Sequence, residues 1–366
     1  FGAAGIAFVH WYAGCLEQDR RLVERAAYWL RSALAEEHLP EAFLTRSAAL
    51  SSAMPAGSVL LGRAGLHFLD ALISHTLGEA RAARQAVSRF ATLSRSDPAG
   101  SSDVFRGTAG ALMGATLLYR NLGGRCLLEL GRELAGSLVR RARLPGSRPT
   151  RSFEDIDGVR DRPDLSEWGL AHGTLGVLFA LLQWSSASGD PPPEWLSGSL
   201  ERILRAVVDE PSLLCPQSLH HHRLCGGFAG VAIVATRAFE LLGDPAFLDS
   251  ARDAARLALR RTIPQPDLCC GRAGVACALM ALARVAPEGP WWRLASELGL
   301  SLLLCEPDDW SVAGLYGGEA GLVWLALTLQ HGRRSGPPCM DAFPDASPHT
   351  LRSSPPNDAP GRAAHR

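Results

Sequence analysis

Seven copies of Gly-x-x-Gly punctuate the chain, and each opens onto a run of small and apolar residues. They are Gly2-Ala3-Ala4-Gly5, Gly62-Arg63-Ala64-Gly65, Gly107-Thr108-Ala109-Gly110, Gly173-Thr174-Leu175-Gly176, Gly227-Phe228-Ala229-Gly230, Gly271-Arg272-Ala273-Gly274 and Gly318-Glu319-Ala320-Gly321. Their starts are separated by roughly 44 to 66 residues, the range of helix-pair repeats. A repeat of that length cannot bury its apolar face alone, so successive units must stack on one another.

The run after each motif carries few charges, as in Ala111-Leu112-Met113-Gly114-Ala115-Thr116-Leu117-Leu118 and Val177-Leu178-Phe179-Ala180-Leu181-Leu182. A helix that is apolar nearly all round belongs in an interior. Between these runs lie Arg-rich amphipathic stretches: Arg21 to Glu36, Glu79 to Ser94, Leu127 to Arg143, Trp195 to Glu210, Asp244 to Arg261 and Trp291 to Cys305. Their charges fall largely on one face, as in an outer layer. The pattern predicts an all-α fold, an (α/α) toroid of seven inner and up to seven outer helices. Glycines where loop meets inner helix permit tight turns and close approach. Equivalent repeats point every inner-helix N-terminus to one end of the ring, so residues just ahead of the glycines converge on one cavity.

The seven inner runs have six outer stretches between them, so the first outer helix is expected upstream of Phe1. The toroid is expected to span 1–332. Residues 333–366, rich in Pro, Ser, Asp and Arg, read as a disordered tail. The stretches Asp97 to Asp103 and Pro145 to Leu165 read as polar connectors.

A formal net charge of zero argues against nucleic acid or an anionic membrane as partner. No apolar run reaches the roughly 20 residues of a transmembrane helix. Nine cysteines, two of them adjacent, do not form the framework of a small secreted domain. Metal-binding or reactive thiols in a reducing cytoplasm fit better.

Cys225 and Cys269 occupy the same register on consecutive repeats, two residues ahead of the first glycine, and Cys270 follows directly. Thiolates are preferred zinc ligands, and three of them leave one position open, as catalytic zinc requires. The three are therefore candidate ligands of one Zn²⁺; the competing reading is a small buried residue, as expected of Cys126, Cys277 and Cys305. His172 immediately precedes Gly173, in the register of Cys270, and a histidine there can move protons near neutral pH. Asp103, four residues before Gly107, reads as a cavity carboxylate or a loop cap. The run His220-His221-His222 is a poor metal site, because three consecutive side chains rarely converge on one ion; a solvated or substrate-contacting role is expected. Arg223 is a candidate for a substrate anion, and Trp168 and Tyr316 are expected at the rim.

Seven glycine motifs, Ala171-His172-Gly173 in the fourth, Cys225 before the fifth and Cys269-Cys270-Gly271 in the sixth resemble the lanthionine synthetase C-like family from Phe1 to about Gln330. The resemblance implies a zinc-dependent α/α toroid that adds cysteine thiols to dehydroalanine or dehydrobutyrine, forming the thioether rings of a lanthipeptide precursor. It implies Cys225 and Cys269 as the two cysteine ligands, with Cys270 where the family usually has His. It implies His172 as the acid/base group and Asp103 as base or orienting group. The Cys-Cys-Gly form resembles the cyclase domains of a subset of bifunctional class II synthetases. That implies a dehydrated precursor peptide as substrate, and a dehydratase domain upstream in the same chain. Gly226 stands where relatives often carry His, Tyr or Asn. Two other readings stay open: addition of a small thiol such as glutathione to dehydroamino acids, and a non-catalytic toroid acting as a scaffold. A glycosidase or terpene-cyclase toroid would need paired carboxylates or Asp-rich motifs in the repeat register, and none is present there.

Overall fold

The computed structural model describes residues 2–39, 42, 56–96, 101–142, 168–210, 222–260, 265–304, 314–341, 343–344 and 346–351. Within them the chain forms thirteen α-helices in inner–outer pairs. The inner helices are α1 (Ala3–Glu17), α3 (Arg63–Thr76), α5 (Thr108–Leu122), α7 (Thr174–Ser188), α9 (Phe228–Leu242), α11 (Arg272–Val285) and α13 (Glu319–Gln330). The outer ones are α2 (Arg20–Ala35), α4 (Ala80–Arg95), α6 (Arg125–Ala142), α8 (Trp195–Asp209), α10 (Pro245–Leu259) and α12 (Trp291–Leu303). Each inner helix touches the next inner helix, and α13 returns to α1, closing the ring. The expected all-α toroid is therefore the observed architecture. Among the described residues no helix is long and apolar enough to cross a membrane.

The inner helices hold the core because their sequence leaves no polar face. In α11 every residue from Ala273 to Ala283 is buried, and α7 is buried from Thr174 through Trp184. The outer helices bury one stripe each, such as Leu196, Leu200, Ile203 and Leu204 of α8. Inner and outer partners are joined by short turns. Asp19 caps α2 by accepting from Arg21 N at 2.8 Å, and Asp244 caps α10 from Ala246 N at 2.9 Å, just ahead of Pro245. An aspartate at this position satisfies an N–H the helix itself leaves unpaired.

The Gly-x-x-Gly motif has a steric cause. A Cβ on its second glycine would lie 2.0 Å from the carbonyl oxygen of Val59 at Gly65, of Val104 at Gly110 and of Leu170 at Gly176. The loop carbonyl three residues ahead of the first glycine thus packs directly on the helix backbone, where only glycine fits. This contact folds each loop over its own helix and fixes the height of the residues between.

The C-terminal stretch departs from the expected disordered tail. Up to Leu351 its described residues pack against the ring: Cys339, Met340, Asp341 and Ala346 are buried. The Phe343 ring meets Trp11 edge-on at 5.1 Å. Asp341 pairs with Arg284 at 2.7 Å and accepts from Gly336 N at 2.6 Å. Arg284 is also paired with Glu240, which takes Arg237 at 2.9 Å. Gln183 Nε2 donates to the Met340 carbonyl at 3.3 Å. The apolar residues here are too few and too scattered to bury one another, but the ring supplies the surface they need. Positions 352–366 lie outside the described residues.

Candidate metal centre and its rim

The loops ahead of the inner helices are stitched into a rim by one repeated backbone bond. Phe105 N donates to Ala171 O at 3.1 Å, Ala171 N to Cys225 O at 2.8 Å, Cys225 N to Cys269 O at 3.3 Å and Cys269 N to Tyr316 O at 2.9 Å. Every partner stands two residues before its first glycine, so equivalent positions of five repeats form a continuous arc. In the second repeat the side chain of Ser58 takes over, its hydroxyl donating to Phe105 O at 2.6 Å. The convergence expected from repeat equivalence is thus carried by the backbone.

The arc brings Cys225, Cys269 and Cys270 together, with their sulfur atoms all within 4.8 Å of one another. Cys225 Sγ lies 3.8 Å from Cys270 Sγ, and Cys270 Sγ lies 3.4 Å from Cys269 Sγ. Three sulfurs placed tetrahedrally at about 2.3 Å from a zinc ion stand about 3.8 Å apart, so the donor set fits that ion in both chemistry and spacing. All three are half-buried and free of disulfides. Hydrogen bonds from the Cys269 and Cys270 thiols, helped by the Arg223 guanidinium, hold Cys225 below the ordinary thiol range. Cys270 and Cys269 are raised, chiefly by their hydrogen bonds to Cys225.

Cys270 is anchored at both ends of its peptide unit. Its N–H donates to Asp267 Oδ1 at 2.7 Å, and its carbonyl accepts from His222 Nε2 at 3.1 Å. His222 is buried, so the expected solvated role does not apply to it: its ring is held against the Cys270 carbonyl. His220 and His221 lie outside the described residues. The Asp267 turn, aspartate accepting from the N–H three residues on, recurs where Asp103 Oδ1 accepts from Arg106 N at 2.5 Å. Burial raises the Asp267 carboxyl.

Asp103 has its second oxygen left for the neighbouring repeat. His172 Nδ1 stands 3.3 Å from Asp103 Oδ2, and since a carboxylate only accepts, Nδ1 carries the hydrogen. The imidazole is partly exposed, with its ring 5.2 Å from that of Phe105. Ala171, its neighbour in sequence, is bonded to Cys225, so the His172–Asp103 pair and the cysteine cluster sit on one arc. Tyr316 is buried at the rim and Trp168 half-buried against the core. Of the remaining cysteines, Cys277 is buried as expected, Cys126 is exposed because it starts the first turn of an outer helix, and Cys305 lies outside the described residues. Asp267 is a supporting residue that the sequence does not single out, and His222 supports Cys270 instead of standing in solvent. The signal for the first was its register, four residues before a first glycine, shared with Asp103.

Among solved structures the chain is similar to nisin cyclase, with a TM-score of 0.67 at 14% identity over 90% of this chain and 88% of that one. At that identity the likeness shows the fold. The family model for lanthionine synthetase C-like protein matches residues 1–341, the whole helical toroid together with the first part of the packed C-terminal stretch. The chain belongs to the lanthionine synthetase C-like protein family.

Proposed function

We propose that the protein is a zinc-dependent cyclase that adds peptide cysteine thiols to dehydroalanine or dehydrobutyrine in a dehydrated precursor peptide, with Cys225, Cys269 and Cys270 as the zinc ligands. The observation that carries this reading is the cluster of three sulfurs at ligand spacing, on the same arc as an aspartate-held histidine. Zinc bound there supplies the Lewis acidity that makes a substrate thiol a thiolate at neutral pH.

The chain's own residues do the rest. Three thiolates give the centre one more negative charge than two cysteines and a histidine would, which favours an electron-rich sulfur nucleophile over strong acidity. Asp267 and His222 hold Cys270 in place from its two backbone atoms. In the addition, a C–S bond forms at the β-carbon, the double-bond electrons move toward Cα, and Cα takes a proton. His172 Nε2 takes up the proton that the thiol gives up and delivers it to Cα in this scheme, and Asp103 holds the ring by Nδ1 and stabilises its protonated form.

The test is incubation of the full chain with a dehydrated peptide that contains one cysteine. Ring closure removes the free thiol and leaves the mass unchanged, because atoms are only rearranged. A thiol that persists, with the mass unchanged, refutes the cyclase. A mass increase equal to an added small thiol, seen only when glutathione is supplied, assigns the protein to intermolecular addition instead.

A further inference from the structure

The rim divides into two halves of different chemistry. Two residues before the first glycine, the fifth and sixth repeats carry Cys225 and Cys269, whereas the second, third and seventh carry Leu60, Phe105 and Tyr316. Those last three residues line a single cavity of about 360 Å³. Phe8, Leu66 and Phe68 supply further apolar wall, and Cys339 reaches it from the packed C-terminal stretch. The volume lies within the roughly 300–1,000 Å³ of ligand pockets.

The lining is apolar over the larger part of its surface. The Tyr316 hydroxyl donates to the Pro338 carbonyl, which satisfies the one polar atom of that ring within the protein. Burial pushes the Cys339 thiol up to about 12, so it presents an uncharged sulfur at neutral pH. Among the described residues of the lining, Glu36 is the only carboxylate.

The cavity shares a wall with the proposed reaction centre. The Phe105 ring lies 5.2 Å from His172 and 5.9 Å from Tyr316, and the Tyr316 carbonyl accepts from Cys269 N at 2.9 Å. An extended peptide advances about 3.3–3.6 Å per residue. One to three residues of extended peptide thus cover the distance from His172 across the Phe105 ring to Tyr316. A recess of this size suits one side chain, not the flat face of another folded protein.

We propose that this cavity is a specificity pocket that receives one apolar or aromatic side chain of the substrate peptide, close in sequence to the reacting residue. The inference rests on the thiol-addition reading above, and identifies the feature of the peptide that the toroid reads. The second and seventh repeats, whose rim positions carry no thiol, histidine or aspartate, and Phe105 of the third then have a role of their own.

The test uses unreactive peptides, in which both the cysteine and the dehydroamino acid are replaced by alanine, so that binding is measured without chemistry. Two such peptides differ only in carrying Phe or Asp at the flanking position, and each is titrated calorimetrically into the full chain. The Phe peptide is expected to bind at least about tenfold more tightly, equivalent to about 1.4 kcal/mol. Leu60→Asp, which puts a charge at a half-buried lining position, should erase the preference, and Leu60→Trp, which adds bulk to the same wall, should weaken it; circular dichroism confirms that each variant is folded. Equal or undetectable binding of both peptides overturns the pocket, as does a preference that survives both substitutions. If rings form but no preference exists, only the pocket is lost; if the preference exists but no ring ever forms, the reaction is lost and the pocket stands.

Discussion

The packing of loop carbonyl on helix glycine makes a quantitative claim that Gly176→Ala tests. The added methyl would sit 2.0 Å from Leu170 O and 2.7 Å from Val104 Cγ2, so the loop must withdraw by more than an ångström to reach an ordinary contact. Leu170 is joined to Ala171, which donates to Cys225 O at 2.8 Å and accepts from Val104 N and Phe105 N at 3.1 Å each. Overpacking alone costs about 1–3 kcal/mol. Each rim bond stretched out of range adds about 1 kcal/mol. Alanine's better helix propensity returns at most about 1 kcal/mol. The net expectation is a loss of about 2–4 kcal/mol, because the clash outweighs the propensity gain. Gly226→Ala is the control: a Cβ there meets nothing within 4 Å, and the change should stay within about 0.5 kcal/mol of wild type. Urea unfolding of both variants, after metal is withdrawn so that ligand binding does not mask the difference, gives the two values. A Gly176→Ala protein as stable as wild type, or no less stable than Gly226→Ala, would refute the steric account of the motif.

Two further substitutions separate the parts of the molecule. His172→Ala should keep its zinc content while losing about 10²–10⁴-fold in ring-forming rate, the usual worth of a positioned acid; an unchanged rate removes His172 from the scheme. Asp341→Ala leaves Gly336 N–H unpaired and takes one of two carboxylates from Arg284, for a cost of about 2–4 kcal/mol. It should free the C-terminal stretch to limited proteolysis, and a cleavage pattern identical to wild type would contradict the clamp.

The toroid was legible because its signals repeat. The glycine motif recurs with its apolar run, and the amphipathic stretches fall within a few residues of the observed outer helices, Arg20–Ala35 against the expected Arg21 to Glu36 for example. Register then carried the reading from fold to site: residues equivalent in sequence became neighbours on the arc, and so Cys225, Cys269 and Cys270 met. What stayed hidden does not repeat in that way. The fit of Cys339, Met340 and Phe343 depends on surface supplied by distant helices, and Pro and Arg around them outweigh three scattered apolar residues in any local reading. His222 was judged by its two histidine neighbours in sequence, but its position is set by the Cys270 carbonyl 48 residues away. The Phe105–Tyr316 wall joins the third and seventh repeats across the mouth, a contact that no spacing along the chain encodes.

The proposed centre itself is most directly tested by X-ray absorption at the zinc edge on the full chain, alone and with a dehydrated cysteine-containing peptide. The account predicts about three sulfur ligands at about 2.3 Å and no histidine nitrogen, rising to four sulfurs when the peptide is added. A nitrogen ligand in the resting protein, from His172 or His222, or a sulfur count that stays at three with the peptide bound, would contradict it.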